Sequence, residues 1–278
     1  MVSTRTILSS LATIGAAIAA SSYPSLKVRN AGVPVGRMHN ISGIDMYISY
    51  PPGRNTSSKA LLYVTDIFGV PLLQNQLLAD SLAANDYLVV MPDLFKGDAI
   101  SVEEQEAGLN LTEWRALHPT PEIDSIINTT IAYMRSELDV ERIGGLGFCF
   151  GGKYVPRFLT ASGGLDLGFV AHPSSLTEQE ISGIAKGISI AAGSELLLCT
   201  DFTVIILLTL AALDAAFNAT AKARAESILS SNNVTFQSNL YYAAPHGFAV
   251  RVNQSVPQQA YAKQASFVQA VTWFDAWL

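Results

Sequence analysis

Short, continuous apolar runs recur along this chain and alternate with stretches whose apolar residues follow helical spacing. Lys59–Thr65 (KALLYVT), Tyr87–Met91 (YLVVM), Arg142–Gly147, Leu167–Ala171, Ile188–Ala192 and Leu240–Ala243 read as strands. Leu72–Ala84, Glu122–Leu138, Lys153 onward and Gln258–Leu278 read as helices. Apolar strands of this kind must be covered on both faces. That implies an α/β fold with a mostly parallel central sheet and helices on each side. The chain has 278 residues, 49% of them hydrophobic and 14% charged, enough for one sizeable core over residues 20–278.

One junction stands apart. In RIGGLGFCFGGKY, Arg142–Tyr154, Cys149 is set among glycines between a strand and a helix. Gly-x-Cys-x-Gly there is the nucleophile-elbow pattern of α/β-hydrolases, with cysteine in the serine position. Glycines two before and two after remove side chains that would clash in so tight a turn. The following helix aims its N-terminus at the sulfur, which favours thiolate. The plainer reading is a buried structural cysteine in a glycine-rich turn. Two cysteines in all exclude a disulfide framework.

A thiol nucleophile needs a base and an oxyanion hole. Of four histidines, only His246 follows the last strand, the place that the order nucleophile, acid, histidine requires. His39 and His118 read as surface-loop residues, and His172, in VAHPS, as a pocket-floor or strand-capping residue. The oxyanion donors expected are the N–H groups of Phe150, next after the nucleophile, and of Ile67, in the loop after an early strand. Asp66 beside Ile67 then aims a carboxylate at the thiol, or else caps the following helix.

YVTDIFGV (Tyr63–Val70), MPDLFKGD (Met91–Asp98), GFCFGG (Gly147–Gly152), His172-Pro173-Ser174 and HGFAVR (His246–Arg251) together, and in this order, resemble the dienelactone hydrolase family. The resemblance runs from about residue 35 to 278. It implies an α/β-hydrolase fold, a Cys–His–Asp triad, and hydrolysis of an enol-lactone or similar small ester without metal or organic cofactor. Carried over, Cys149 is the nucleophile, His246 the base, and Ile67 and Phe150 the oxyanion residues. Asp66 stands where bacterial members have a thiol-switching glutamate. Arg251 lies one residue from the place of an arginine that holds a substrate carboxylate. The family pattern Ala-Gly-x-Glu-x-Asp-x-x-Phe begins at Ala192-Gly193-Ser194-Glu195, breaks for LLLCTDFTVIILLTLAA (Leu196–Ala212), and resumes at Leu213-Asp214-Ala215-Ala216-Phe217. Asp214 is therefore the expected acid, with Asp201 and Glu195 as runners-up. The run 196–212 reads as an extra buried helix or strand, or, more sharply, as translated intron sequence. It is too short and too interrupted for a membrane span.

Two further readings stay open. One is a catalytically inactive relative serving as a binding protein. The other is a thioesterase or peptidase on the same scaffold. A net charge of −6 and the lack of a basic stripe exclude nucleic acid as a partner. Residues 1–19 carry Arg5, a short apolar run and Ala17-Ile18-Ala19, the pattern of a signal peptide. Seven of twelve asparagines head Asn-x-Ser/Thr acceptors, which suggests a secreted glycoprotein.

Overall fold

The computed structural model describes residues 26–194, 217 and 219–278. Eight strands form one sheet: β1 (Arg37–Ile41), β2 (Ile44–Ser49), β3 (Lys59–Val64), β4 (Leu88–Pro92), β5 (Arg142–Phe148), β6 (Leu167–Ala171), β7 (Ile188–Ser194) and β8 (Phe236–Tyr242). Their spatial order is β1-β2-β4-β3-β5-β6-β7-β8. β2 runs antiparallel to both β1 and β4, and every later pairing is parallel. Five of the apolar runs are β3 to β7, buried almost throughout, as in β4 and β6. The sixth, Leu240–Ala243, is only the end of β8, an edge strand that begins at Phe236 and is largely half-exposed. β1 and β2 form a hairpin that the pattern did not announce. β1 (RMHNI) is almost wholly exposed, so burial imposes no apolar signature on it. His39, placed ahead of the sheet by sequence, lies within this edge strand and is exposed, as a surface residue should be.

Eight helices flank the sheet among the described residues: α1 (Leu73–Ala83), α2 (Val102–Glu106), α3 (Leu111–Leu117), α4 (Thr120–Ser136), α5 (Phe150–Arg157), α6 (Glu178–Ser182), α7 (Ala219–Ser231) and α8 (Pro257–Trp277). The core divides in two across the sheet. On one side Ile123, Ile127 and Met134 of α4, Val155 of α5 and Leu229 of α7 pack on Leu62, Val64 and Ile143. On the other, Leu78 and Leu82 of α1 and Phe267, Val271 and Phe274 of α8 pack on Leu61, Leu146 and Phe169. Each such fully buried side chain contributes roughly 1.5–3 kcal/mol of transfer free energy, so the two layers hold the sheet rigidly under its loops. Chain order and parallel pairing bring the C-terminal ends of β3, β5, β6, β7 and β8 to one edge of the sheet. In open α/β sheets, ligand sites form at that edge.

Candidate active site

The elbow is built by close backbone approach. Cys149 has φ 49° and ψ −108°, a conformation that L-residues rarely adopt. Its N–H donates to the Ala171 carbonyl at 3.2 Å, and the Gly151 N–H donates to the Thr65 carbonyl at 3.0 Å, which pins the start of α5 between β6 and the end of β3. A Cβ on Gly151 would stand 2.1 Å from the Val64 oxygen, and one on Gly147 would stand 2.5 Å from the Gly151 oxygen. Only glycine fits at either position. Phe150 is the first residue of α5, so its N–H belongs to the helix end whose donors point outward, where an oxyanion is favoured. Ile67, the other expected oxyanion residue, is buried in the turn directly after β3.

The thiol is buried, and its hydrogen-bond partner is the Ser174 hydroxyl, with Sγ and Oγ 3.3 Å apart. The same hydroxyl lies 3.4 Å from His246 Nε2. His246 sits in the turn after β8. Asp214, Glu195 and Asp201, the candidate acids, and the apolar run 196–212 lie outside the described residues, as do residues 1–19, expected to be a signal peptide.

Asp66 is fully buried in the loop after β3. Its Oδ1 accepts from the Phe68 N–H at 3.1 Å and from Asn75 Nδ2 at 3.0 Å. Asn75 is fixed in turn by the Tyr63 hydroxyl and the Gly69 carbonyl. Burial pushes the Asp66 carboxyl above its ordinary range. Asn75, Arg251, the Phe68 N–H and His246 pull the other way. The Arg251 guanidinium lies 3.8 Å over the Phe68 ring, a cation–π contact at the rim of this group.

His172 forms the floor. It is completely buried, with φ 39°, and its ring lies 5.1 Å from that of His246 and 5.4 Å from that of Phe248. Burial first, then the nearby His246 and Arg251, hold its pKa well below the usual histidine value, so it is neutral. Neither ring nitrogen has a hydrogen-bond partner among the described residues.

His118 corrects the sequence reading. It is not a surface-loop residue. It is only 8% exposed, its Nε2 is 2.8 Å from Asp98 Oδ2, and its ring packs on Trp114 and Phe95. The signal that would have found it is local. Asn110 caps α3 by accepting from the Thr112 and Glu113 N–H groups. A helix starting there puts Trp114 and His118 four residues apart on one face. His118, Phe150, Lys153, Tyr154, Arg115 and Ser174 line a cavity of about 220 Å³. A larger open groove of about 1070 Å³ runs between β8 and α8 past Tyr242 and Tyr261. The smaller cavity is the one that reaches the thiol's partner. Ser174 itself went unnoticed by sequence beyond its place in the His-Pro-Ser block, because a lone serine after a strand carries no periodic signal.

The dienelactone hydrolase family model matches residues 44–278. Hydrolase pyvD of Aspergillus violaceofuscus is 38% identical, with 89% of this chain and 92% of that protein covered. Hydrolase tropI of Talaromyces stipitatus is 37% identical, over 90% of this chain and 93% of that protein. Among solved structures, a dienelactone hydrolase from Anabaena variabilis superposes with a TM-score of 0.58 at 14% identity, covering 88% of this chain and 99% of that one. A dienelactone hydrolase-like promiscuous phosphotriesterase from metagenomic libraries gives a TM-score of 0.63 at 13% identity, with 88% and 99% covered. The strand order, the elbow after β5 and a match running from β2 to the C-terminal helix lead to one conclusion: the chain belongs to the dienelactone hydrolase family.

Proposed function

We propose that this hydrolase cleaves a small lactone or ester through Cys149 and an acyl-thioester. The observation that carries the reading is the strained elbow, which holds a buried thiol at the N-terminus of α5 within reach of Ser174 and, beyond it, His246. In this reading the Cys149 thiolate attacks the carbonyl carbon. The oxygen's developing charge falls to the N–H groups of Phe150 and Ile67. Collapse of the intermediate expels the alkoxide or enolate, which takes a proton from the His246 imidazolium. A water then gives its proton to His246, attacks the thioester and releases the acid. Asp214 orients His246. The cavity beside Ser174, lined by Phe150, Tyr154 and Arg115, suits a small substrate. No metal or organic cofactor enters the scheme.

The protein is further proposed to be secreted and N-glycosylated. All six acceptor asparagines among the described residues, Asn40, Asn55, Asn110, Asn128, Asn233 and Asn253, are exposed.

The test is p-nitrophenyl acetate. Wild type should release p-nitrophenol in a burst, and quenched protein should carry one acetyl group on the peptide containing Cys149. Cys149→Ala should lose at least ~10³-fold in kcat while keeping its circular dichroism. Near-normal turnover by that variant, or no acetylated peptide, would remove the thioester mechanism.

A further inference from the structure

The turn after β6 is organised around one hydroxyl. His172 and Ser175, at φ 39° and 56°, bracket Pro173 and Ser174 with two left-handed residues, neither of them glycine. Such strain persists only where the surroundings over-determine the backbone, and here they do. The His172 N–H donates to the Ala191 carbonyl and the Ser174 N–H donates to the Cys149 carbonyl, each at 2.9 Å. Pro173 lies so close on α5 that a Cβ on Gly152 would stand 2.7 Å from the Pro173 Cα. The outcome is a buried Ser174 whose Oγ is 3.3 Å from Cys149 Sγ and 3.4 Å from His246 Nε2. The hydroxyl bridges thiol and imidazole in the resting enzyme.

We propose that Ser174 relays the thiol proton to His246. The S–H proton passes to Ser174 Oγ as the hydroxyl's own proton passes to His246 Nε2. Cys149 is left as thiolate, Ser174 as an intact hydroxyl and His246 as imidazolium, with the proton count unchanged. One hydroxyl, both donor and acceptor, suffices. The 3.4 Å leg is long for O–H···N, as catalytic hydrogen bonds in ligand-free enzymes often are. The relay rests on the assignment of Cys149 and His246 made above. It adds that thiolate formation depends on Ser174.

The experiment reads thiolate directly and needs no ester. The rate of iodoacetamide alkylation of the peptide bearing Cys149 is followed from pH 5 to 10 in the full chain. Ser174→Ala removes one oxygen and leaves the turn's backbone bonds. It should raise the midpoint of the profile by about one pH unit, so that alkylation on its rising limb slows about tenfold. Ser174→Thr, which restores a hydroxyl, should return the profile toward wild type, and Ser174→Val, of the same shape as Thr, should not. This pair carries the comparison if the alanine variant folds poorly. In a His246→Ala background, Ser174→Ala should shift nothing further, because the relay has lost its acceptor. A Ser174→Ala or Ser174→Val profile that superimposes on wild type overturns the relay. So does an equal shift in both His246 backgrounds. Either result leaves ester hydrolysis by Cys149 standing. A shifted profile in a protein that hydrolyses no ester would instead remove the proposed function and keep the relay.

Discussion

At the residue scale, the buried ionisable groups set how the protein responds to pH and to substitution. His172 binds its proton less readily folded than unfolded, because burial penalises the imidazolium. Between its depressed folded pKa and the unfolded value near 6.5, the unfolded chain therefore binds more protons, and stability falls as pH falls through that window. This one group accounts for at most about 1.4 kcal/mol per pH unit. Urea midpoints at pH 7 and pH 5 should separate for wild type. They should draw together in His172→Phe, which keeps a ring against Phe248 and has nothing to protonate. An unchanged gap in that variant would place the acid sensitivity elsewhere. Asp66 acts in the opposite sense, since its folded pKa is raised and its proton is lost as pH climbs. Asp80 matters through its hydrogen bonds. Its carboxylate, fully buried, accepts from the Val35 and Gly36 N–H groups, the Tyr47 and Ser49 hydroxyls and the Arg29 guanidinium. Burial and Asp80 together raise the Tyr47 phenol far above its usual pKa, so it remains a donor. Asp80→Asn replaces one acceptor oxygen with an amide donor facing other donors. It should cost about 3 kcal/mol in urea unfolding at neutral pH.

At the scale of elements, the elbow is a joint of three pieces, and its glycines mark how close they lie. Gly151→Ala would drive a methyl group into the Val64 and Thr65 carbonyl oxygens, which belong to backbone and cannot swing aside. It should cost more than ~3 kcal/mol, or prevent folding, measured by thermal unfolding beside Gly43→Ala. Gly43 serves as the control for left-handed strain alone, because nothing lies within 4 Å of a Cβ there. Equal losses at the two positions would show that clash is not what fixes the elbow. The same joint explains what was legible in the sequence. β3, β4 and β6 are buried on both faces, so their apolar runs announce them, and the Gly-x-Cys-x-Gly spacing follows from contacts that exclude side chains. β1 faces solvent, and α3 buries Trp114 alone, so neither carries an apolar period that burial would impose. His118 is not legible because its burial comes from Trp114 and Phe95, the latter in a loop distant in sequence. Ser174 was legible as part of a motif but not as a partner of Cys149, because its position depends on the turn after β6 docking on α5, a contact between elements distant in sequence.

At the scale of the whole molecule, one connection is out of proportion. Strand-to-helix connections in α/β proteins usually run about 2–6 residues, and the sequence between Ser194, the end of β7, and Ala219, where the next described helix α7 starts, is far longer and carries the apolar run Leu196–Ala212. Phe217 is 1% exposed and packs in the same core cluster as Leu229 of α7, so the chain is already anchored in the fold just before that helix. Removing residues 196–212 joins Glu195 to Leu213, restores the motif and leaves seven residues between Ser194 and Ala219, close to the usual length. It also brings Asp214 to the end of β7, the strand next to β8, beyond which His246 lies. Translated intron sequence is the proposed origin of the run. cDNA from the source organism should then lack its codons. The shortened protein should be more soluble, since a long apolar stretch with few charges favours association in partly folded states. It should hydrolyse p-nitrophenyl acetate at least as fast as the full chain. In that background Asp214→Asn should lower kcat by ~10²-fold or more, because an amide cannot balance the imidazolium that forms on His246. Transcripts that retain the segment, together with a deletion that fails to fold, would make the run part of the structure. The acid would then be sought at Glu195 or Asp201.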